Sequence, residues 1–266
     1  MSGGSNPSRP VFYVMEFVLG ILVLFLIAYL FSATGHGGGS GYLALFLIFG
    51  YLPMDAKLFA LSLNVLVSYL AFLNFRKAGL FDSSLASPLL IGSLPAFYIF
   101  VKTVPNEDFY SQIVGLLLLF SALRLFNSHH KKKYKLKKNP KTWMLVLLGF
   151  CIGGLAGFIG IGGGIFLSPL LIFFGWADPK KTAAISSIFV LANSALGVPL
   201  VLQELDVSAM PLWLIIGTLI SWSGFFLVVG FGGWLGSLHG SKKFNKVMMN
   251  RALGAILLMA SVWLFS

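Results

Sequence analysis

The chain is short of three things that soluble proteins rely on: it has one cysteine, eight acidic residues and only 10% charged residues in a length of 266. Cys151 alone excludes an intrachain disulfide framework and any zinc or iron–sulfur centre built from cysteines. A charged fraction well below the roughly 25% of soluble domains leaves no room for a sizeable water-facing domain. No metal or cofactor is expected.

Hydrocarbon fills the composition instead. Hydrophobic residues make up 58% and the mean hydropathy is +0.90. At about 20 apolar residues for each crossing of a ~30 Å hydrocarbon core, the chain accommodates about eight to ten crossings with short connections. An all-α integral membrane protein follows. The balance of 19 Lys+Arg against 8 Asp+Glu gives a net charge of +11. Seven lysines fall between Lys131 and Lys141, and others sit at Arg76-Lys77 and at Lys242-Lys243 with Lys246, all beside apolar stretches. In that setting basic residues report orientation in the bilayer, and no aromatic-interleaved motif argues for a nucleic-acid partner.

Residues 1–10 read as a polar tail. The apolar run 11–33 is longer than the 7–15 residues of a signal-peptide core and reads as a retained span. Further apolar segments run over 41–52, 56–75, 84–103, 109–126, 143–160, 164–176, 182–202, 209–233 and 246–265. The ten elements divide into a first transmembrane repeat, 11–127, a basic loop, 128–142, and a second repeat, 143–266.

The halves are copies of one another. His36-Gly37-Gly38-Gly39-Ser40-Gly41, followed by the apolar run to Gly50, lies 125 residues before Ile161-Gly162-Gly163-Gly164-Ile165-Phe166 and the run to Gly175. Each copy leads into a longer helix spotted with small polar residues: Ser62, Asn64 and Ser68 in one, Ser186, Ser187, Asn193 and Ser194 in the other. The register between those two helices is fixed only to about one residue. Five elements per copy make the repeats inverted in topology, which places every basic cluster on one side. By the positive-inside rule that side, with the central basic loop, is the cytoplasm, and both termini lie outside a cell membrane crossed many times.

The second element of each repeat is too short to cross: residues 41–52 as a helix reach about 18 Å. The glycines before it supply the backbone angles of a break and leave amides uncovered by side chains. Helix N-termini at Gly37–Gly39 and Gly162–Gly164 offer orphan amides and roughly half a positive charge each, a combination suited to an anion. Close helix packing is the alternative use of such glycines. Matching short, glycine-interrupted segments in two repeats point to a transporter's binding site.

The run Gly157-Phe158-Ile159-Gly160-Ile161-Gly162-Gly163-Gly164, then Ser168-Pro169-Leu170, Gly175 and the Ser/Ala-rich helix from Ala183, resembles the sulfite exporter family TauE/SafE. The first copy departs from the pattern at His36 and at Ala44, which stands where the second copy has Pro169. The resemblance implies secondary transport, commonly outward, of sulfite, a sulfonate or a related sulfur-containing anion.

The candidate substrate-binding residues are therefore His36, Gly37, Gly38, Gly39, Ser40, Gly162, Gly163 and Gly164, with Ser62, Asn64, Ser186, Ser187 and Asn193 as hydrogen-bond donors from the following helices. Protons are the candidate coupling ion. His36 can carry one because histidine titrates near neutrality, and Glu16 is the carboxylate best placed within the first span. Lys57, with Asp55 two residues away, is expected to snorkel to the interface. Asp178, Glu204 and Asp206, at segment ends, are expected to be solvated. A passive anion channel is the main alternative to a carrier. An intramembrane hydrolase would rest on Ser40 and His36, and no second intramembrane histidine supports it. Oligomeric state is not legible.

Overall fold

The computed structural model describes residues 8–103, 107–126, 140–205, 212–242 and 246–265. Most of the basic loop, Asp206 and the polar tail up to residue 7 lie outside the described residues. So does the side chain of Glu16. The described residues form ten helices and no strand: α1 (Ser8–Ala33), α2 (Gly39–Ile48), α3 (Pro53–Lys77), α4 (Ser83–Phe100), α5 (Glu107–Phe126), α6 (Thr142–Ile159), α7 (Gly164–Phe173), α8 (Pro179–Glu204), α9 (Leu212–Lys242) and α10 (Lys246–Phe265). Among the described residues α3, α4, α6 and α8 are long and apolar enough to cross a membrane, and exposed Leu, Ile, Phe and Trp side chains cover the outer surface.

Local chemistry sets the boundaries. Pro53 and Pro179 occupy the first turns of α3 and α8, where a missing N–H costs nothing. Asp82 and Asp178 cap α4 and α8, accepting from the amides of Ser84 and of Lys180 and Lys181. The solvated role expected of Asp178 is thus a capping role. α9 runs nine residues past the apolar segment expected to end at 233. Its extension is rich in Gly and Ser, and Gly236 and Gly240 are packed on α1, so the helix continues through them.

Two stripes of glycine decide how the helices pair. On α6, Gly149, Gly153 and Gly157 face the backbone of α4, and a carbon added at each would lie 2.1, 2.4 and 2.7 Å from the carbonyl oxygens of Leu89, Ser93 and Phe97. On α9, Gly232, Gly236 and Gly240 face α1 in the same way, 2.8, 2.0 and 2.0 Å from the carbonyls of Phe25, Tyr29 and Ala33. In both pairs the residue numbers rise together, so the helices run parallel. Between membrane helices no hydrophobic force acts, and close backbone approach through small residues takes its place.

Two further pairs are antiparallel. In α3 and α8, Leu61 meets Gly197 while Ala71 and Phe75 cluster with Ala183 and Ala184. In α5 and α10, Ser261 donates to the Gly115 carbonyl at 2.9 Å, and Gly254 faces Ala122 and Phe126. Exchanging α1–α5 for α6–α10 turns α4 with α6 into α9 with α1, and returns α3 with α8 and α5 with α10 to themselves. The short helix α2 folds back along α1, with Gly41 against Ile27 and Phe31 and Phe49 against Gly20. It ends where α3 begins, its Phe46 and the following Tyr51 packed on Phe59.

Candidate functional site

Two backbone breaks, one per half, meet at the middle of the α3 and α8 pair. Glycines with left-handed φ shape both: Gly35, Gly37 and Gly38 in the first at 77°, 82° and 126°, and Gly160, Gly162 and Gly163 in the second at 87°, 70° and 88°. Each pair is 125 residues apart. Gly50 and Gly175, at 78° and 71°, close α2 and α7 with the same offset. The first turn of each break repeats too, with the His36 amide donating to the Phe31 carbonyl at 2.9 Å and the Ile161 amide to that of Ala156 at 3.2 Å. The register then slips by one residue. Gly50 is followed by two residues before Pro53, whereas Gly175 is followed by three before Pro179, so from there on the offset is 126 and Asn64 corresponds to Val190.

The breaks touch across the centre. A carbon added at Gly39 would lie 3.0 Å from the Ile161 carbonyl, and one at Gly164, its counterpart, 3.2 Å from His36 Cα. Asn64 and Val190 pack into the junction, both within 3.3 Å of carbons added at Gly37 or Gly162. The N-termini of α2 and α7 therefore converge here, and no side chain caps either one.

Side chains from α3, α4 and α8 hold this junction. Asn64 Nδ2 donates to the Ile161 carbonyl at 3.4 Å and Asn193 Nδ2 to the Gly162 carbonyl at 3.2 Å. Both ends of Asn193 are engaged, because its Oδ1 accepts from Ser93 at 2.9 Å. Those of Asn64 are not: its Oδ1 is buried without a partner, as are His36 Nε2, Tyr42 Oη, Thr182 Oγ1 and Ser194 Oγ. Three of those atoms border the glycines, with Asn64 Oδ1 2.7 Å from a carbon added at Gly37, Tyr42 Oη 2.7 Å from one at Gly38 and Ser194 Oγ 2.9 Å from one at Gly162. Buried polar atoms without partners are uncommon in native structures and call for an explanation.

Thr34 Oγ1 lies 2.9 Å from the Phe31 carbonyl and 2.8 Å from His36 Nδ1. Its one hydrogen serves either the carbonyl or the ring: with the hydrogen on the carbonyl, Nδ1 donates to Thr34 and the unpartnered Nε2 is an acceptor, and with the hydrogen on Nδ1, Nε2 carries the ring proton.

Of the residues picked out in the sequence, the structure brings His36, Gly37, Gly39, Asn64, Gly162, Gly164 and Asn193 together, with Gly38 and Gly163 as the N-caps of α2 and α7. Ser40 is buried in the first turn of α2. Three serines are spent elsewhere: Ser62 donates to the Leu58 carbonyl at 2.7 Å, Ser187 to that of Ala184 at 2.8 Å, and Ser186 pairs with Ser168 at 2.7 Å. Ser93, Tyr42 and Ser194 belong to the junction. Of these only Ser194 carried a signal, as part of a polar helix. Glu204 pairs with Lys102 at 2.7 Å at the exposed ends of α8 and α4.

Lys57 corrects the expectation of snorkelling. Its side chain is fully buried, because carbonyls at the end of α4 satisfy the ammonium from within. Among the described residues no three His, Cys, Asp or Glu side chains gather as a metal site.

The family model for sulfite exporter TauE/SafE matches residues 20–265. A probable membrane transporter protein of Sinorhizobium fredii is 30% identical over 243 residues, 90% of this chain and 94% of the relative. A probable membrane transporter protein of Methanocaldococcus jannaschii is 26% identical over 195 residues, 68% of this chain and 72% of the relative. No solved structure matches the chain. The match over nearly all of the folded length, including both breaks, makes this protein a member of the sulfite exporter TauE/SafE family and a multi-pass membrane transporter rather than an enzyme.

Proposed function

We propose that this transporter is a secondary carrier, working as an exporter, for a small sulfur-containing oxyanion such as sulfite or an organosulfonate, bound between the two glycine breaks. The observation that carries the proposal is the convergence of two uncapped helix N-termini on a junction where buried polar atoms lack partners. Each ten-residue helix ends in orphan amides bearing about half a positive charge. Two of them hold an anion in a low-dielectric interior without a fully charged residue in contact, so release stays feasible.

Of the unpartnered atoms, Asn64 Oδ1 is an acceptor, and so is His36 Nε2 when Nδ1 carries the ring proton. A fully ionised oxyanion alone would set lone pairs against lone pairs. A proton brought with the anion, on His36 or on the anion itself, turns that repulsion into a hydrogen bond. Proton coupling through His36 therefore fits the junction. Glu16 remains the second candidate carrier.

An inverted-topology repeat accounts for the parallel and antiparallel pairs, which supports this reading. Rocking one half against the other would expose the junction alternately to either side. The end of the molecule where α5 finishes and α6 starts is the cytoplasmic one in this reading, and both termini lie outside. Proteoliposomes are expected to show saturable sulfite or methanesulfonate flux, with counterflow and with acceleration by a pH gradient. Conduction without counterflow would establish a channel instead. Flux of a cation or neutral solute, with none of these anions, would end the anion reading.

A further inference from the structure

Lys57 is a buried cation that the central site does not use. It lies seven residues before Asn64, about 10 Å along the same buried stripe of α3, towards the end of the molecule where α3 begins. Its Nζ donates to the carbonyls of Val101 at 3.3 Å and Thr103 at 2.9 Å, and it stands 5.4 Å from the centre of the Tyr110 ring. Two of its three protons are accounted for. Among the described residues it has no ion-pair partner, and neighbouring Asp55 makes none with it. Tyr110 in turn donates to the Ile159 carbonyl, next to the second break. Gly160 makes room for the lysine, since a carbon added there would lie 2.4 Å from Lys57 Cγ.

The other half shows what this position needs structurally. At an offset of 126 the counterpart of Lys57 is Ala183, whose backbone lies against Gly35 where the side chain of Lys57 lies against Gly160. The end of α9, the counterpart of α4, is capped by Lys180, which donates to the Lys242 carbonyl at 3.2 Å from an exposed position. Capping the fourth helix of a repeat thus needs no buried cation, and the break of the other half closes directly on the α8 backbone. The first half nevertheless places a lysine there, held among the described residues by two carbonyls and an aromatic face.

We propose that Lys57 is an anion station on one side only, receiving the oxyanion between the central junction and the end of the molecule where α3 begins. It rests on the reading of the junction as an anion site. The ammonium supplies attraction for an anion on this side, and its remaining proton hydrogen-bonds the anion in transit. The described lysines of the other side, Lys180 and Lys181, stand at the start of α8.

The test uses the full-length protein, with sodium sulfite and methanesulfonate as probes. Lys57→Gln keeps an amide donor for the α4 carbonyls and removes the charge, Lys57→Met removes both, and Lys57→Arg keeps both. Half-saturation for sulfite flux is measured from each side in vesicles of defined orientation, alongside the melting temperature without anion. Lys57→Gln is expected to raise half-saturation at least about tenfold from the α3-start side, with little change from the other side and near-normal melting, and Lys57→Arg to restore it. Normal half-saturation from both sides in Lys57→Gln, with a lowered melting temperature in Lys57→Met, would reduce Lys57 to a helix cap and overturn the proposal. If Lys57→Met does not fold, Lys57→Gln decides. Wild-type protein that neither transports nor is stabilised by either anion refutes the junction reading itself, and the station with it. Anion-dependent wild-type flux with symmetric losses in Lys57→Gln refutes the one-sided station alone.

Discussion

Gly153→Ala tests the packing argument most directly. An alanine carbon at 153 would sit 2.4 Å from the Ser93 carbonyl oxygen, 2.5 Å from Ser93 Oγ and 2.6 Å from Ser93 Cα. A carbon–oxygen contact needs about 3.3 Å, so α4 and α6 must part by about 1 Å at that level. Overpacking of this kind costs about 1–3 kcal/mol, against about 1 kcal/mol gained from alanine's helix propensity. The obstructing atoms are backbone, which places the expected net loss at about 1–2 kcal/mol. A second effect is expected at a distance, because Ser93 also donates to Asn193, which holds the Gly162 carbonyl. Moving α4 outward loosens the second break. Thermal melting of the full-length protein in one detergent, with Gly224→Ala as control, reads the first effect. Gly224 has nothing within 4 Å and an ordinary φ, and its alanine variant is expected to melt at or slightly above wild type. Adding Ser93→Ala removes the hydroxyl but leaves the carbonyl, so it should not rescue Gly153→Ala. Equal melting of Gly153→Ala and Gly224→Ala, or full rescue by Ser93→Ala, would refute the reasoning.

Gly38→Leu and Gly163→Leu are expected to abolish sulfite-dependent stabilisation, since the first would meet Tyr42 and the second Phe189 within 3 Å at positive φ. Gly50→Ala, with positive φ but nothing within 4 Å, should cost only about 1 kcal/mol of backbone strain and leave binding intact, which thermal shift with and without sulfite would show. Asn64→Val, which copies Val190 of the other half, is expected to preserve folding while weakening anion binding and flattening its pH dependence. Unchanged binding between pH 5 and 8 would remove Asn64 from the site. Single cysteines at Ser5 and Ser128 in a Cys151→Ser background, probed with an impermeant reagent on intact cells, should label at 5 and not at 128. The reverse pattern would invert the proposed orientation.

Much of this architecture is written locally. Hydrophobic run lengths, the basic clusters and the 125-residue repeat give ten helical elements and two short ones, because crossing hydrocarbon forces every backbone group into a helix and leaves length and polarity as the main variables. The glycine breaks are legible for the same reason, since few residues but glycine adopt their angles. Three features were decided only by tertiary structure. The glycines of α6 and α9 recur every fourth residue in the sequence, but which carbonyls they face depends on which helices run parallel, and α9 continues past its apolar segment where α1 packs against it. The polar helices supply serines in abundance, yet whether a hydroxyl turns to the junction or back to its own backbone, as in Ser62 and Ser187, depends on rotation about the helix axis that no local pattern fixes. Lys57 reads as an interfacial lysine because burying a cation is costly, and only the end of α4 and the ring of Tyr110, more than 40 residues away in the chain, make its burial affordable.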